Sequence, residues 1–308
     1  MESINFQSNN GNSNNHQDNR LIDKVYKNLA LPESTFLGTR ITKKMLLESA
    51  SHNGNELSNP DKKLVTEVIQ TIEWQNTLKP ETLNIPVYVS ETVEYIEIAI
   101  IRITLKHDNK NKGKLKNTAK LLHTLIPYPV ILLIELGDEL AISLADKRIN
   151  QADNSKLVIE YIYNTNWLSS ISLTEAENSF LNDFSLKYAS SLNYFELYQD
   201  FISMLIGLET SRISGHYLSK SKLSKSNVTK DSSNQNDIPT NSKDSIPFYE
   251  NSNEGKTTLL RNLESLEAEL SSIRKNIKRE TQMNNKMRLN IEAKKVKLDI
   301  ADIKKQLA

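Results

Sequence analysis

The chain of 308 residues predicts an α+β fold: a small, mostly antiparallel sheet packed with helices, followed by a long C-terminal coiled-coil helix. Three observations lead there. Helix-period and strand-length apolar stretches alternate in the order helix, strand, helix, strand, strand, strand, helix, without the βαβα repetition of a doubly wound nucleotide-binding sheet. Two apolar arms flank Gly137-Asp138, the signature of a tight hairpin. Residues 255–308 contain no proline and only the leading Gly255. Within them Leu259, Leu263, Leu266, Leu270, Ile273, Ile277, Met287, Ile291 and Leu298 recur at steps of three and four or their sums. A continuous helix of about fifty residues would reach about 75 Å, and its apolar stripe needs another surface to bury it.

Residues 1–20 are mostly Asn, Ser, Gln and Asp and cannot bury enough apolar surface to offset chain entropy, so a disordered extension is expected. The α+β domain is placed at 21–218. Its first helix carries Leu21, Ile22, Val25, Tyr26 and Leu29, and Pro32 closes it. Thr39 to Ala50 reads as a basic segment (Arg40, Lys43, Lys44) running into a second helix. After the loop 51–60, Asp61 can cap a helix with Leu64, Val65, Val68, Ile69 and Ile72 on one face, ending near Leu78 with Trp74 in its last turns. Val93 to Leu105 is rich in β-branched residues and reads as a central strand. A helix from Leu115 to Leu125 stops at Pro127 and Pro129. Val130–Leu136 and Glu139–Ala145 form the hairpin, Leu157–Tyr163 adds a strand, and Ser191–Leu208 is a helix with Leu192, Phe195, Tyr198, Phe201, Ile202 and Leu205 on one face. A disordered low-complexity linker is expected over 219–254 and the coiled-coil helix over 255–308.

Composition narrows the chemistry. The chain has no cysteine, which excludes disulfides, thiolate zinc sites and cysteine nucleophiles. No basic start and apolar run marks a signal peptide, and the longest apolar run, Val130 to Ile134, is far too short to span a bilayer; a soluble cytoplasmic protein is the expectation. The net charge of +1 hides a basic tail: from Arg274 onward 11 Lys and Arg face four acids, Glu280, Glu292, Asp299 and Asp302. A solvated coiled-coil face explains this plainly. Contact with nucleic acid or an acidic partner is the sharper reading.

Gly255-Lys256-Thr257-Thr258 imitates a phosphate-binding loop, but Glu250 stands where its first glycine belongs, and no sheet follows to supply a magnesium-binding acid. Asn253 or Thr257-Thr258 as helix-start residues is the better account. The five histidines lack metal-ligand spacing, and His123 reads as a helical core or surface residue. A metal-dependent nuclease would draw on Glu97, Asp138, Asp146 and Lys147, yet Asp146 and Lys147 are adjacent and on a strand point to opposite faces. Arg40, Lys43, Lys44, Trp74, Lys79, Lys147, Arg148 and Trp167 form the remaining constellation, in which cations beside aromatic platforms suit phosphates and bases. Core-edge anchoring is the stronger account of both tryptophans.

The blocks LPESTFLGTRITKKMLLE, TIEWQNTLKPETLNI, VEYIEIAIIRI, LIPYPVILLIELGDELAISLADKRI, YIYNTNWL and the tail from Ile273 onward resemble, in that order, the bacterial domain-of-unknown-function family 4391. The resemblance runs over residues 29–308, interrupted mainly near 219–253. It implies an accessory protein encoded beside DNA methyltransferases and helicases in restriction-like or phage-defence loci. It transfers no catalytic role to Trp74, Lys79, Asn84, Lys147, Arg148 or Trp167.

The expectation is therefore a non-enzymatic adaptor without cofactor or metal. It would dock on a DNA methyltransferase or helicase subunit, or self-associate, through the heptad residues, with Asn284 at a buried seam position fixing register. Nucleic acid contact would fall to Lys43, Lys44, Lys147, Arg148, Arg274, Lys275, Lys278 and Arg279, and no membrane is involved. In the continuous register Glu280 and Lys294 also enter the seam, so the stronger pairing lies from Leu259 to Ile277. A helix hairpin turning near Thr281 to Asn285 is the structural alternative, although no Gly or Pro supports a break.

Overall fold

The computed structural model describes residues 20–52, 57–150, 153–220 and 253–308. The disorder expected over 1–20 and across most of 219–254 falls outside them. Helix α1 (Leu21–Leu29) buries Leu21, Ile22, Val25 and Leu29 and ends at Ala30, whose φ of 53° lies in the left-handed region before Pro32. Strand β1 (Phe36–Arg40) and helix α2 (Lys43–His52) follow. Helix α3 (Asn59–Lys63) starts on Ser58, whose hydroxyl accepts from Asp61 N at 3.3 Å, so serine rather than Asp61 is the cap.

The helix expected to reach Leu78 does not. It loosens into one π turn at Leu64–Val68 and becomes strand β2 (Ile69–Leu78). The apolar positions Leu64, Val65, Val68, Ile69 and Ile72 fit a helical stripe, but Ile72 pairs with Ile103 and Trp74 with Ile101 across the sheet. Strand pairing overrides local periodicity where Thr, Ile and Trp dominate. Helix α4 (Pro80–Leu83) and a two-strand ribbon of β3 (Tyr88–Val89) and β4 (Glu94–Tyr95) lead into β5 (Ile98–Leu105).

Helix α5 (Leu115–Leu125) crosses over to β6 (Val130–Leu136), and a crossover returns the chain in the same direction, so β5 and β6 are the parallel pair. Gly137, at φ 61°, turns the hairpin into β7 (Glu139–Asn150); a Cβ there would meet the His107 ring at 2.9 Å. Strands β8 (Asp153–Asn164) and β9 (Leu168–Ser169) both pair with β7. Helix α6 (Glu175–Asp183) opens on a Thr174–Glu177 capping box. Helix α7 (Tyr194–Ser214) runs from Asn193, whose side chain accepts from Glu196 N at 2.9 Å, to Gly215 at φ 80°. It starts and ends later than its sequence pattern indicates.

The main sheet has the order β1-β2-β5-β6-β7-β8, antiparallel except at β5–β6. One core joins α1, α6 and α7 to one face through Ile100, Ile131, Leu133, Ile142, Tyr198 and Phe201. A second joins α2, the π turn and α5 to the other through Val65, Ile101, Leu122, Leu132 and Ile134. The sheet is thus covered on both faces, which explains why β5 and β6 are nearly continuous apolar runs.

The tail is two helices, not one. Helix α8 (Asn253–Arg279) stops, and after Glu280, Thr281 and Gln282 helix α9 (Met283–Leu307) folds back along it. This hairpin, the alternative weighed from sequence, replaces the expected continuous coiled-coil helix. No helix among the described residues is long and apolar enough to cross a membrane.

Candidate functional site

The residues of the nuclease alternative are not brought together. Asp138 is exposed at the hairpin tip, whereas Asp146 lies eight residues along β7, a rise of roughly 26 Å. Glu97, ahead of β5, pairs with Lys79 at 3.5 Å. Asp146 faces α7 and accepts from Tyr163 Oη at 2.7 Å and Gln199 Nε2 at 2.8 Å; burial raises its pKa above the usual carboxylate value. A bulge falls between Asp146 and Lys147. Lys147 takes the opposite side, donating to the Ile126 and Tyr128 carbonyls at 2.6 and 2.7 Å, and burial lowers its pKa to about 7. These two side chains hold down neighbouring parts of the fold rather than sharing a site. Among the described residues no group of three or more His, Asp or Glu is arranged to hold a metal ion.

The basic and aromatic constellation also disperses. Trp74 donates its ring N–H to Thr77 Oγ1 at 2.8 Å and lies 5.9 Å from the Tyr128 ring, an anchor at the core edge. Trp167 donates to the Lys112 carbonyl at 3.1 Å. Lys43 donates to the Thr66 carbonyl, Lys44 pairs with Glu48, and Arg148 pairs with Glu160. His123 is a core histidine against Ser143 Oγ at 3.0 Å. Thr257 sits inside α8, donating to the Asn253 carbonyl, so the GKTT segment forms helix and not a phosphate loop.

The tail presents the distinctive surface. The first part of α8 is fastened to the body: Asn253 Nδ2 donates to Ser203 Oγ at 2.7 Å, Thr257 meets Tyr163 at 2.9 Å, and Lys116 pairs with Glu264. Arg261 Nη2 donates at 2.9 Å to the Glu160 carbonyl on β8, an edge strand, so α8 occupies part of an edge that would otherwise invite another strand. A cavity of about 750 Å³ lies beneath, lined by β8, α5, α7 and the hairpin. Its charges balance, with Glu160, Glu209, Glu264 and Glu267 opposite Lys116, Lys120, Arg212 and Lys304.

From Leu263 onward the two helices pack on each other. The seam joins Leu263, Leu266, Leu270, Ile273 and Ile277 to Leu289, Ala293, Val296, Ile300, Ile303 and Leu307. The residues expected to complete the seam do not enter it. Met287, Ile291 and Leu298 each precede a seam residue by two positions, a rotation of about 200° at 3.6 residues per turn. They lie on the outer face, with Met283 70%, Met287 56%, Ile291 71% and Leu298 59% exposed. Asn284 is exposed beside the turn and occupies no buried seam position. The signal for the true seam was present: 289, 293, 296, 300, 303 and 307 alternate by four and three without a polar residue.

The turn needs neither Gly nor Pro because Glu280 builds it. Its Oε1 accepts from Thr281 N and Gln282 N, both at 2.9 Å, occupying amides that the break leaves free. Those backbone bonds hold its pKa below the usual glutamate value. Around this tip Arg274, Lys275, Lys278, Arg279 and Arg288 are exposed, and Glu280 is the sole acid from 271 to 291. Among the described residues Arg274, Lys275, Lys278, Arg279 and Lys286 form no ion pair.

By architecture this is a three-layer α+β domain carrying an appended helical arm. The chain belongs to the family described as a domain of unknown function (DUF4391), whose model matches residues 29–245. The match covers the body from the end of α1 and stops before α8, so the tail expected to follow the family pattern lies outside it. No curated protein and no solved structure matches the chain.

Proposed function

We propose that this protein is an accessory, non-enzymatic subunit that uses its C-terminal helical hairpin as an arm to dock on a larger protein. The observation that carries the reading is the outer surface of the arm, where an exposed apolar stripe is set among unpaired cations. An isolated helix pair gains nothing from exposing Met283, Met287, Ile291 and Leu298 along one line, whereas a recognition surface does. The partner's identity as a DNA methyltransferase or helicase subunit of a bacterial restriction-like or phage-defence system rests on what the family resemblance implies.

The test is affinity purification of the full chain and of a Lys275→Glu, Arg279→Glu variant from the native cells. A methyltransferase or helicase chain retained in stoichiometric amount by the wild type and released by the variant is the expected result. Magnesium-dependent DNA cleavage by the purified chain, abolished in a folded Asp146→Ala variant, would overturn it.

The unpaired cations at the tip favour a second reading, direct contact with DNA phosphates. In that case neutralising Arg274, Lys275, Lys278 and Arg279 flattens the salt dependence of DNA affinity by about one unit of slope per lost contact. An unchanged slope removes the tip from consideration.

A further inference from the structure

The outer face of α9 carries more information than its exposure. Met283, Met287, Ile291, Lys294 and Leu298 follow one another at steps of four, four, three and four, so a single lysine interrupts an otherwise apolar stripe. All five are exposed, and the stripe spans about 22 Å, four turns of helix. That spacing is complementary to a second helix, because a partner helix meets its neighbour every three and four residues. The seam face of α9 is already occupied by α8, so the stripe is not a remnant of the hairpin's own packing.

Charge decides what the second helix carries. From Met283 to Leu307 seven cations face three acids, Glu292, Asp299 and Asp302. Lys294 stands within the apolar line, where it demands a carboxylate opposite. A second copy of this chain is a poor occupant. A parallel pair sets Lys294 against Lys294, and an antiparallel pair that aligns the two stripes sets it against Met287, so neither arrangement gives the ammonium a carboxylate. Nucleic acid would use the cations but leave the methionines and Ile291 in water.

We infer that the outer face of α9 is the seat for an acidic amphipathic helix of the partner, its apolar line on Met283, Met287, Ile291 and Leu298 and a carboxylate on Lys294. This rests on the adaptor reading above and specifies its contact. The experiment uses the full chain and two synthetic helical peptides of about three heptads, leucine at a and d, with glutamate or with lysine at e and g. Fluorescence anisotropy follows binding. The glutamate peptide binds, the lysine peptide binds at least about tenfold more weakly, and the M287S/I291S and Lys294→Glu variants each weaken the glutamate peptide about tenfold.

Because these positions are exposed, circular dichroism and thermal melting of the variants match the wild type. Equal binding of both peptides, or binding indifferent to the stripe variants, overturns the assignment. So does a stripe that instead governs binding to anionic phospholipid vesicles or to duplex DNA. If the stripe variants keep the co-purified partner while Lys275→Glu, Arg279→Glu releases it, the adaptor reading stands and this assignment falls.

Discussion

The body and the arm draw on the same apolar side chains and spend them differently. In the body, β5 and β6 are apolar on both faces and both faces are covered, so Ile100, Ile101, Ile131 and Leu132 are wholly buried. In the arm, α9 is also apolar on two faces, but only one is covered. Two covered faces make β5 and β6 core, with no apolar side chain of either strand left exposed. One covered face makes a stable support for the other, and this contrast is why the docking proposal places its contact on the arm. The partner-binding residues expected from sequence divide along the same line. Leu259, Leu263, Leu266, Leu270, Ile273 and Ile277 serve the hairpin itself, and Met287, Ile291 and Leu298 remain free for another molecule.

Removing part of the body core tests the first half of that comparison. Phe201→Ala empties a fully buried position against Phe184 and costs about 3–5 kcal/mol in urea denaturation, with body and sheet unfolding together. Lys147 gives a distinct signature. Its folded pKa lies near 7, below the ordinary lysine value of about 10.4, so between these the unfolded chain binds more protons and stability rises with pH. The slope, on the order of 1 kcal/mol per pH unit, is present in wild type and absent in a folded Lys147→Met variant. A flat difference between their stability curves from pH 7 to 10 would refute the buried placement.

In the arm the effects shrink and become local. Ile300→Ala costs about 2 kcal/mol and raises hydrogen exchange in α9 and the distal part of α8, while β5 and β6 keep wild-type protection. Exchange that rises equally in the sheet would mean that body and arm form one cooperative unit. Glu280 acts more weakly still. Its pKa is depressed in the folded chain, so its contribution is complete above the ordinary glutamate range and is lost as pH falls through and below about 4. Exchange at Thr281 and Gln282 should rise over that window in wild type and be insensitive to it in Glu280→Gln.

Legibility followed the range of the forces involved. Helices α1 and α5 and the β6–β7 hairpin could be read directly, because their caps, prolines and Gly137-Asp138 turn are local signals. Strand β2 could not, since Leu64 to Ile72 satisfies a helical stripe and only pairing with β1 and β5 decides otherwise. Helix α6 shows only its Thr174–Glu177 box in the sequence, because its buried residues Ser179, Phe180, Leu181 and Asp183 make no clean stripe. The expected phase of the tail carried the α8 seam straight through Glu280, whereas the break resets it by two residues. The polar intruders in that register, Glu280, Asn284 and Lys294, were the visible sign that it did not hold. The opposite facing of Asp146 and Lys147 followed from strand geometry alone.

The fold-back is what turns Met287, Ile291 and Leu298 outward, and one distance decides it. Glu267 and Lys304 form an ion pair at 3.2 Å across the hairpin, whereas in a continuous helix their separation of 37 positions would span roughly 55 Å. The chain has no cysteine, so Glu267→Cys and Lys304→Cys accept spin labels at those two positions alone, and loss of an exposed ion pair changes stability little. Pulsed electron resonance on the monomeric labelled chain should give a label separation no greater than about 20–25 Å, the ion-pair spacing plus two label arms. A separation near 55 Å would contradict the hairpin and, with it, the exposed face on which the docking arm depends.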